Sequence, residues 1–181
     1  LQRPTGLDLD PRTGDLLVVD TKASQLVFVD TRTGAVDRQV GQGGTGAGEF
    51  HAPVSAVFGR DGRLYVVDSL NFRVQRWEPG LVFAGSFGTA GDSPGRFSRP
   101  KGIALDTEGH VYVVDALFDN VQVFDPQGRL LMAFGEPGDG IGEFWLPNDI
   151  YIDDADRIFV SDAHNRRVQV FQYLSSGEAT R

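Results

Sequence analysis

Residues 100–135 read "PKGIALDTEGHVYVVDALFDNVQVFDPQGRLLMAFG", and four short apolar segments stand out in them: "GIALD", "VYVVD", "VQVFD" and "LLMAFG". The pieces between, "TEGH", "ALFDN" and "PQGR", hold the Gly, Pro, Asn and Asp that turns require, so the stretch predicts four β-strands joined by tight connections. The second segment is apolar at consecutive positions instead of alternating with polar residues. Both of its faces must therefore be buried.

The same unit recurs along the whole chain. Pro4, Pro53, Pro100 and Pro147 fall at intervals of 49, 47 and 47 residues, and Asp20, Asp68, Asp115 and Asp162, which end "LLVVD", "LYVVD", "VYVVD" and "IFVSD", at 48, 47 and 47. Phe50, Phe97 and Phe144 keep the same step, with Leu1 in that slot of the first unit. The units run approximately 1–49, 50–96, 97–143 and 144–174, and a polar tail, "SSGEATR", closes the chain at 175–181. Small antiparallel sheets buried on both faces and repeated at this period are what a β-propeller provides, since each blade packs between two neighbours. A sandwich would leave one face of each strand wet and polar. The fold class is all-β, a β-propeller of four four-stranded blades of about 47 residues.

That period also explains a misleading motif. Gly41, Gly43 and Gly46 in "GQGGTGAGEF" have the G-x-G-x-x-G spacing of a dinucleotide-binding turn, which has meaning only between a strand and a helix. Pro53, Gly59 and Gly62 follow, with no apolar spacing of three or four residues, so no helix starts there. "GQGGTGAGEFHAP", "GTAGDSPGRFSRP" and "GEPGDGIGEFWLP" occupy one slot, the link from the outer strand of one blade to the inner strand of the next.

Composition narrows the partners. With 25 acidic and 17 basic residues the net charge is −8, which disfavours nucleic acid; "GRFSRPK" and "HNRR" are the basic exceptions. The absence of cysteine removes disulfides, thiol nucleophiles and cysteine-bound zinc. Apolar runs of four or five residues fall far short of a membrane span of roughly 20.

"RPKGIALDTEGHVYVVDALFDNVQVFDPQGRLLMAFG" and "LPNDIYIDDADRIFVSDAHNRRVQVF" resemble NHL repeats, with Pro and Gly before strand one, Val-Asp ending strand two, an Asn-x-Arg-Val-Gln-Val-Phe run opening strand three and Phe-Gly ending strand four. The hairpin "DTKASQLVFVD" of the first unit departs most, lacking the Asn and Arg. The resemblance implies a six-bladed ring, so the four units are expected to be part of one, lacking about two N-terminal blades and a closing strand. It also implies, as one possibility, a metal-dependent lyase or a lactone hydrolase with a site in the central channel.

A residue present in every blade is expected to hold blades together, which gives Asp20, Asp68, Asp115 and Asp162 a structural role, accepting N–H groups of the hairpin that follows. Exceptions to the repeat are the site candidates. On the face formed by the strand-four-to-one loops, Asp149 stands where Gly6, Ser55 and Gly102 stand, and Asn148 aligns with Thr5, Val54 and Lys101. Lys101, Asn148 and Asp149 are candidates to hold a polar ligand, and Asn148 with Asp149 a divalent cation such as calcium. Phe118 replaces the Asn71 and Asn165 of other hairpins, and with Trp145, Leu117 and His164 it is expected to form a patch for a protein or peptide partner. His51, His110 and His164 are too dispersed to form a zinc site. The reading is a non-catalytic recognition scaffold. The alternatives are the enzyme above and an extracytoplasmic sensor domain of a larger bacterial protein, with the periplasm, cell surface or secretion as the expected location.

Overall fold

The computed structural model describes residues 1–172; the last two residues of the fourth unit and the polar tail lie outside them. The first blade is built from strands Pro4–Leu9, Leu16–Asp20, Gln25–Val29 and Val36–Val40. The second has Pro53–Phe58, Leu64–Asp68, Arg73–Glu78 and Val82–Phe87. The third repeats it with Pro100–Leu105, Val111–Asp115, Asn120–Phe124 and Leu130–Phe134. In the fourth, Pro147–Ile152, Arg157–Asp162 and Arg167–Gln172 are described. Each blade is an antiparallel meander with its strands in chain order, and the glycine loops add short parallel pairs, Gln42–Gly43 with Glu49–Phe50 and Glu136–Pro137 with Glu143–Phe144. No helix among the described residues is long and apolar enough to cross a membrane.

Three apolar cores join the blades in succession. Leu17, Val19 and Phe28 meet Ala56, Leu64 and Val66 between blades 1 and 2. Tyr65 and Val67 meet Ile103, Val111 and Val113 between blades 2 and 3, and Tyr112, Val114 and Val121 meet Ile150, Ile158 and Val160 between blades 3 and 4. Strand two is wholly buried in blades 2 and 3, as its unbroken apolar sequence requires. In blade 4 the same strand alternates buried with part-exposed residues, and Tyr151, Val168 and Val170 are exposed beside it. Leu7 and Leu9 are exposed on blade 1. The four blades thus form an arc whose two end faces are uncovered among the described residues.

Blades 2, 3 and 4 are each sealed by one recurring device. The rings of Phe50, Phe97 and Phe144 are fully buried and lie against Gly41, Gly88 and Gly135, where a Cβ would fall 2.4, 2.3 and 2.4 Å from ring carbon. These glycines also have φ of 95°, 86° and 91°, so both space and backbone demand glycine there. On its other side each phenylalanine meets an aromatic of strand three: Phe50 with Trp77 at 6.3 Å, Phe97 with Phe124 at 5.7 Å, Phe144 with Phe171 at 5.8 Å.

Candidate functional site

The first strands of neighbouring blades converge and line a central cavity of about 1070 Å³. Their approach is close: a Cβ on Gly102 would lie 2.7 Å from the Cα of Asp149. Each first strand carries a β-bulge just after its proline, at Thr5, Val54, Lys101–Gly102 and Asn148. A bulge leaves one residue outside the ladder and re-aims its side chain. Thr5, Lys101, Asn148 and Asp149 all line the cavity, together with Arg3 and Asp8.

Asp149 lies at this mouth with its backbone N–H donating to Ser161 Oγ at 2.8 Å and its Oδ1 accepting from the N–H of Ile150 at 3.0 Å. Loss of solvent within the channel pushes its carboxyl above the usual range. Deeper in the channel Asp8 is raised for the same reason, although it accepts hydrogen bonds from Phe58 N–H at 2.6 Å and Leu9 N–H at 2.8 Å. Thr5 Oγ1 donates to the Val54 carbonyl at 2.9 Å and meets Thr21 Oγ1 at 2.6 Å, tying the mouth of blade 1 to blade 2.

The aromatic candidates divide between two places. Trp145 is 54% exposed and its ring lies 5.3 Å from that of His164. Leu117 and Leu70 are exposed at equivalent hairpin positions of blades 3 and 2. Phe118 instead lines a separate shallow hollow with Phe72, Ala90, Gly91 and Phe97, and Trp145 is not part of that lining. The reason lies in the hairpin. Asn71 and Asn165 donate to the carbonyls of Gly44 and Gly138 in the glycine loop, at 2.9 and 2.8 Å, and Phe118 covers the equivalent loop at Ala90–Gly91 without such a bond.

The backbone N–H groups bound by the repeated aspartates come chiefly from the loop that leads into the blade, and fewer from the hairpin after them, from which the sequence suggested they would come. Asp115 accepts from the N–H groups of Ser98 and Arg99 at 2.7 and 2.9 Å and from Leu117 N–H at 3.2 Å. Asp20 accepts from Arg3, Asp68 from His51 and Asp162 from Trp145. Asp68 and Asp162 also hold Arg73 and Arg167 at 2.9 and 2.8 Å. A second set of fixing residues was not singled out from sequence. Gln75, Gln122 and Gln169 each donate Nε2 to a loop carbonyl, of Glu49, Arg96 and Glu143, and accept on Oε1 from Gly48, Gly95 and Gly142. The signal for them was a glutamine seven residues after each of three aspartates; in the first unit that slot holds Val27.

A divalent cation is poorly served by this mouth. Among the described residues no three of His, Asp and Glu come together as ligands. Asn148 and Asp149 supply one amide and one carboxylate, whereas calcium takes six to eight oxygens. His110 is engaged with Asp106 at 2.8 Å, away from His51 and His164.

Residues 97–179, just under half of the chain, match a family model described as a 6-bladed beta-propeller. No curated protein matches the chain by sequence. Among solved structures, the chain is similar to virginiamycin B lyase from Staphylococcus aureus, with 13% identity and a TM-score of 0.68 over 96% of this chain and 57% of that one. An auxiliary nutrient binding protein from Bacteroides thetaiotaomicron aligns at 18% identity and TM-score 0.68, over 91% of this chain and 46% of that one. Hydrazine synthase from Kuenenia stuttgartiensis aligns at 18% identity and 0.65, over 95% and 50%. The chain spans about half the length of these structures, and at such identities they share with it the fold alone. By sequence period, sheet topology and these matches together, the chain is four blades of a β-propeller.

Proposed function

We propose that the chain is a recognition scaffold whose strand-four-to-one face binds a small polar ligand or a peptide, with the channel mouth as its centre. The observation that carries this reading is the placement of Lys101, Asn148 and Asp149, all departures from the repeat, around one open cavity, two of them at bulges. Trp145 and His164 extend the same face with an exposed aromatic pair suited to a peptide side chain. The likeness to a nutrient binding protein agrees with this, and the likeness to a lyase favours the alternative of a metal-dependent lyase or lactone hydrolase, for which the donor set here is incomplete. A periplasmic or cell-surface setting, possible also for a sensor domain, belongs to the proposal and is tested by cell fractionation.

Trp145 offers a direct readout, because Trp77, the other tryptophan, is 5% exposed. Amino acids, short peptides, sugars and organic acids are titrated while tryptophan emission and its quenching by iodide are followed. A ligand that shields Trp145, and whose effect is lost in Asn148→Ala or Asp149→Ala, supports the reading. If nothing in the series protects Trp145 or binds by calorimetry, the face is not a ligand site.

A further inference from the structure

We infer that the channel mouth is an anion site in which Arg3, Arg99 and Lys101 receive the carboxylate or phosphoryl group of a small molecule. This rests on the recognition reading above and names its ligand chemistry.

Elsewhere among the described residues eight arginines lie within ion-pair distance of a carboxylate, as expected in a chain of net charge −8. The side chains of Arg3, Arg99 and Lys101 have no ion pair and no hydrogen bond there; Arg12, Lys22 and Arg166 share that lack but lie outside the cavity lining, whereas Arg3 and Lys101 are part of it. The charges that act on Lys101 are Arg99 and Arg3. Its ammonium is pushed below its ordinary range by burial first and by those two guanidinium groups second, and although Asp8 and Asp149 line the same cavity, neither lies within ion-pair distance of it. A half-buried cation facing two others costs stability until an anion arrives.

The backbone explains how the three come together. Arg3 and Arg99 occupy one repeat position in blades 1 and 3, where each donates its N–H to the conserved-slot aspartate, Asp20 or Asp115, at 2.8 and 2.9 Å. Their counterparts in blades 2 and 4, Ala52 and Leu146, adopt left-handed backbone with φ of 56° and 50°. The arginines therefore mark the two blades whose leading loop is held by both N–H groups, at Gln2 and Arg3 and at Ser98 and Arg99. Lys101 follows two residues after Arg99 at the bulge and lines the cavity, as does Arg3. Three cations suit one carboxylate or phosphoryl group, which guanidinium recognises in bidentate fashion. They are too few for a nucleic-acid track in so acidic a chain.

The test uses the 181-residue chain with inorganic phosphate, acetate and citrate as probes, each at constant ionic strength set with sodium chloride, followed by amide NMR shifts and calorimetry. The expected result is saturable binding of phosphate or citrate, with shifts centred on residues 3, 99 and 101, weakened at least tenfold in Lys101→Met and Arg99→Gln. Phosphate without the organic acids identifies a phosphoryl group; citrate or acetate without phosphate identifies a carboxylate. Because the three side chains have no partner to lose, the variants should fold with unchanged or higher melting temperatures, which keeps the comparison sound. Equal response to chloride alone, or binding unchanged in both variants, would overturn the inference. So would an oligonucleotide that binds more tightly than phosphate with steep salt dependence. If anions fail while a neutral ligand still shields Trp145 through Asn148 and Asp149, the anion site falls and the recognition reading stands.

Discussion

Asp162 and Asp149 lie 13 residues apart in blade 4 and respond oppositely to pH. Burial alone would raise the Asp162 carboxyl, but hydrogen bonds from Trp145 N–H, Asn165 and Arg167 outweigh it and hold the group below its ordinary 3.8. Its ionised form therefore adds stability that is complete above the unfolded value and is lost as pH falls through the lower folded one. Asp162→Asn should lower the urea midpoint at pH 7 by the equivalent of about 1–3 kcal/mol, with the gap closing on acidification below about pH 4. Asp149, raised by loss of solvent, behaves in reverse. Its charge costs stability above the folded value, so Asp149→Asn should be slightly more stable at pH 7, by under about 1 kcal/mol because the side chain loses only part of its water at the open mouth, and the two proteins should converge near pH 4. The fully buried Gln75 gives a third test. Gln75→Ala would strand the Gly48 N–H and leave the Glu49 carbonyl to Arg73 alone, and a loss of about 1–3 kcal/mol in urea unfolding is expected.

At the scale of single elements, the glycine loops separate space from backbone preference. Gly88→Ala would drive a methyl into the Phe97 ring, and a loss above about 3 kcal/mol is expected; at Gly14, where φ is 76° and nothing lies within 4 Å, Gly→Ala should cost about 1 kcal/mol. Thermal melts of the two variants check the contrast. The strands and these loops were legible in the sequence because a blade repeats its letters: Pro, Phe and Asp return at one period, and an unbroken apolar strand two has one explanation. The site was legible only where a residue broke that period, as Lys101, Asn148 and Asp149 do. Arg3 was not singled out, and Arg99 only within the basic stretch "GRFSRPK", because an arginine before a proline looks like any surface charge; what distinguishes them is that they act on Lys101 at the channel mouth, a fact about space. Phe118 was placed in the right hairpin, but whether its ring turns toward Trp145 or toward Ala90–Gly91 depends on side-chain packing that spacing does not encode.

For the molecule as a whole, the three cores are shared only by successive blades, so stability should be additive along the arc. Blades 2 and 3, covered on both faces, should exchange their strand-two amides more slowly than blades 1 and 4 by hydrogen–deuterium exchange. Phe124→Ala should cost about 3–5 kcal/mol and raise exchange in blades 2 and 3 before blade 1. The order in which blades are sealed follows from the same arrangement. Phe50 and the loop before it are gripped by Gln75 and Trp77, 26 residues or so further on, and Phe97 and Phe144 wait in turn for Gln122 with Phe124 and for Gln169 with Phe171. As the nascent chain leaves the ribosome, the stretch awaiting closure is never much longer than half a repeat. Each blade is latched onto the one already made, and the apolar surface open to chaperones or aggregation stays constant however long the growing arc becomes.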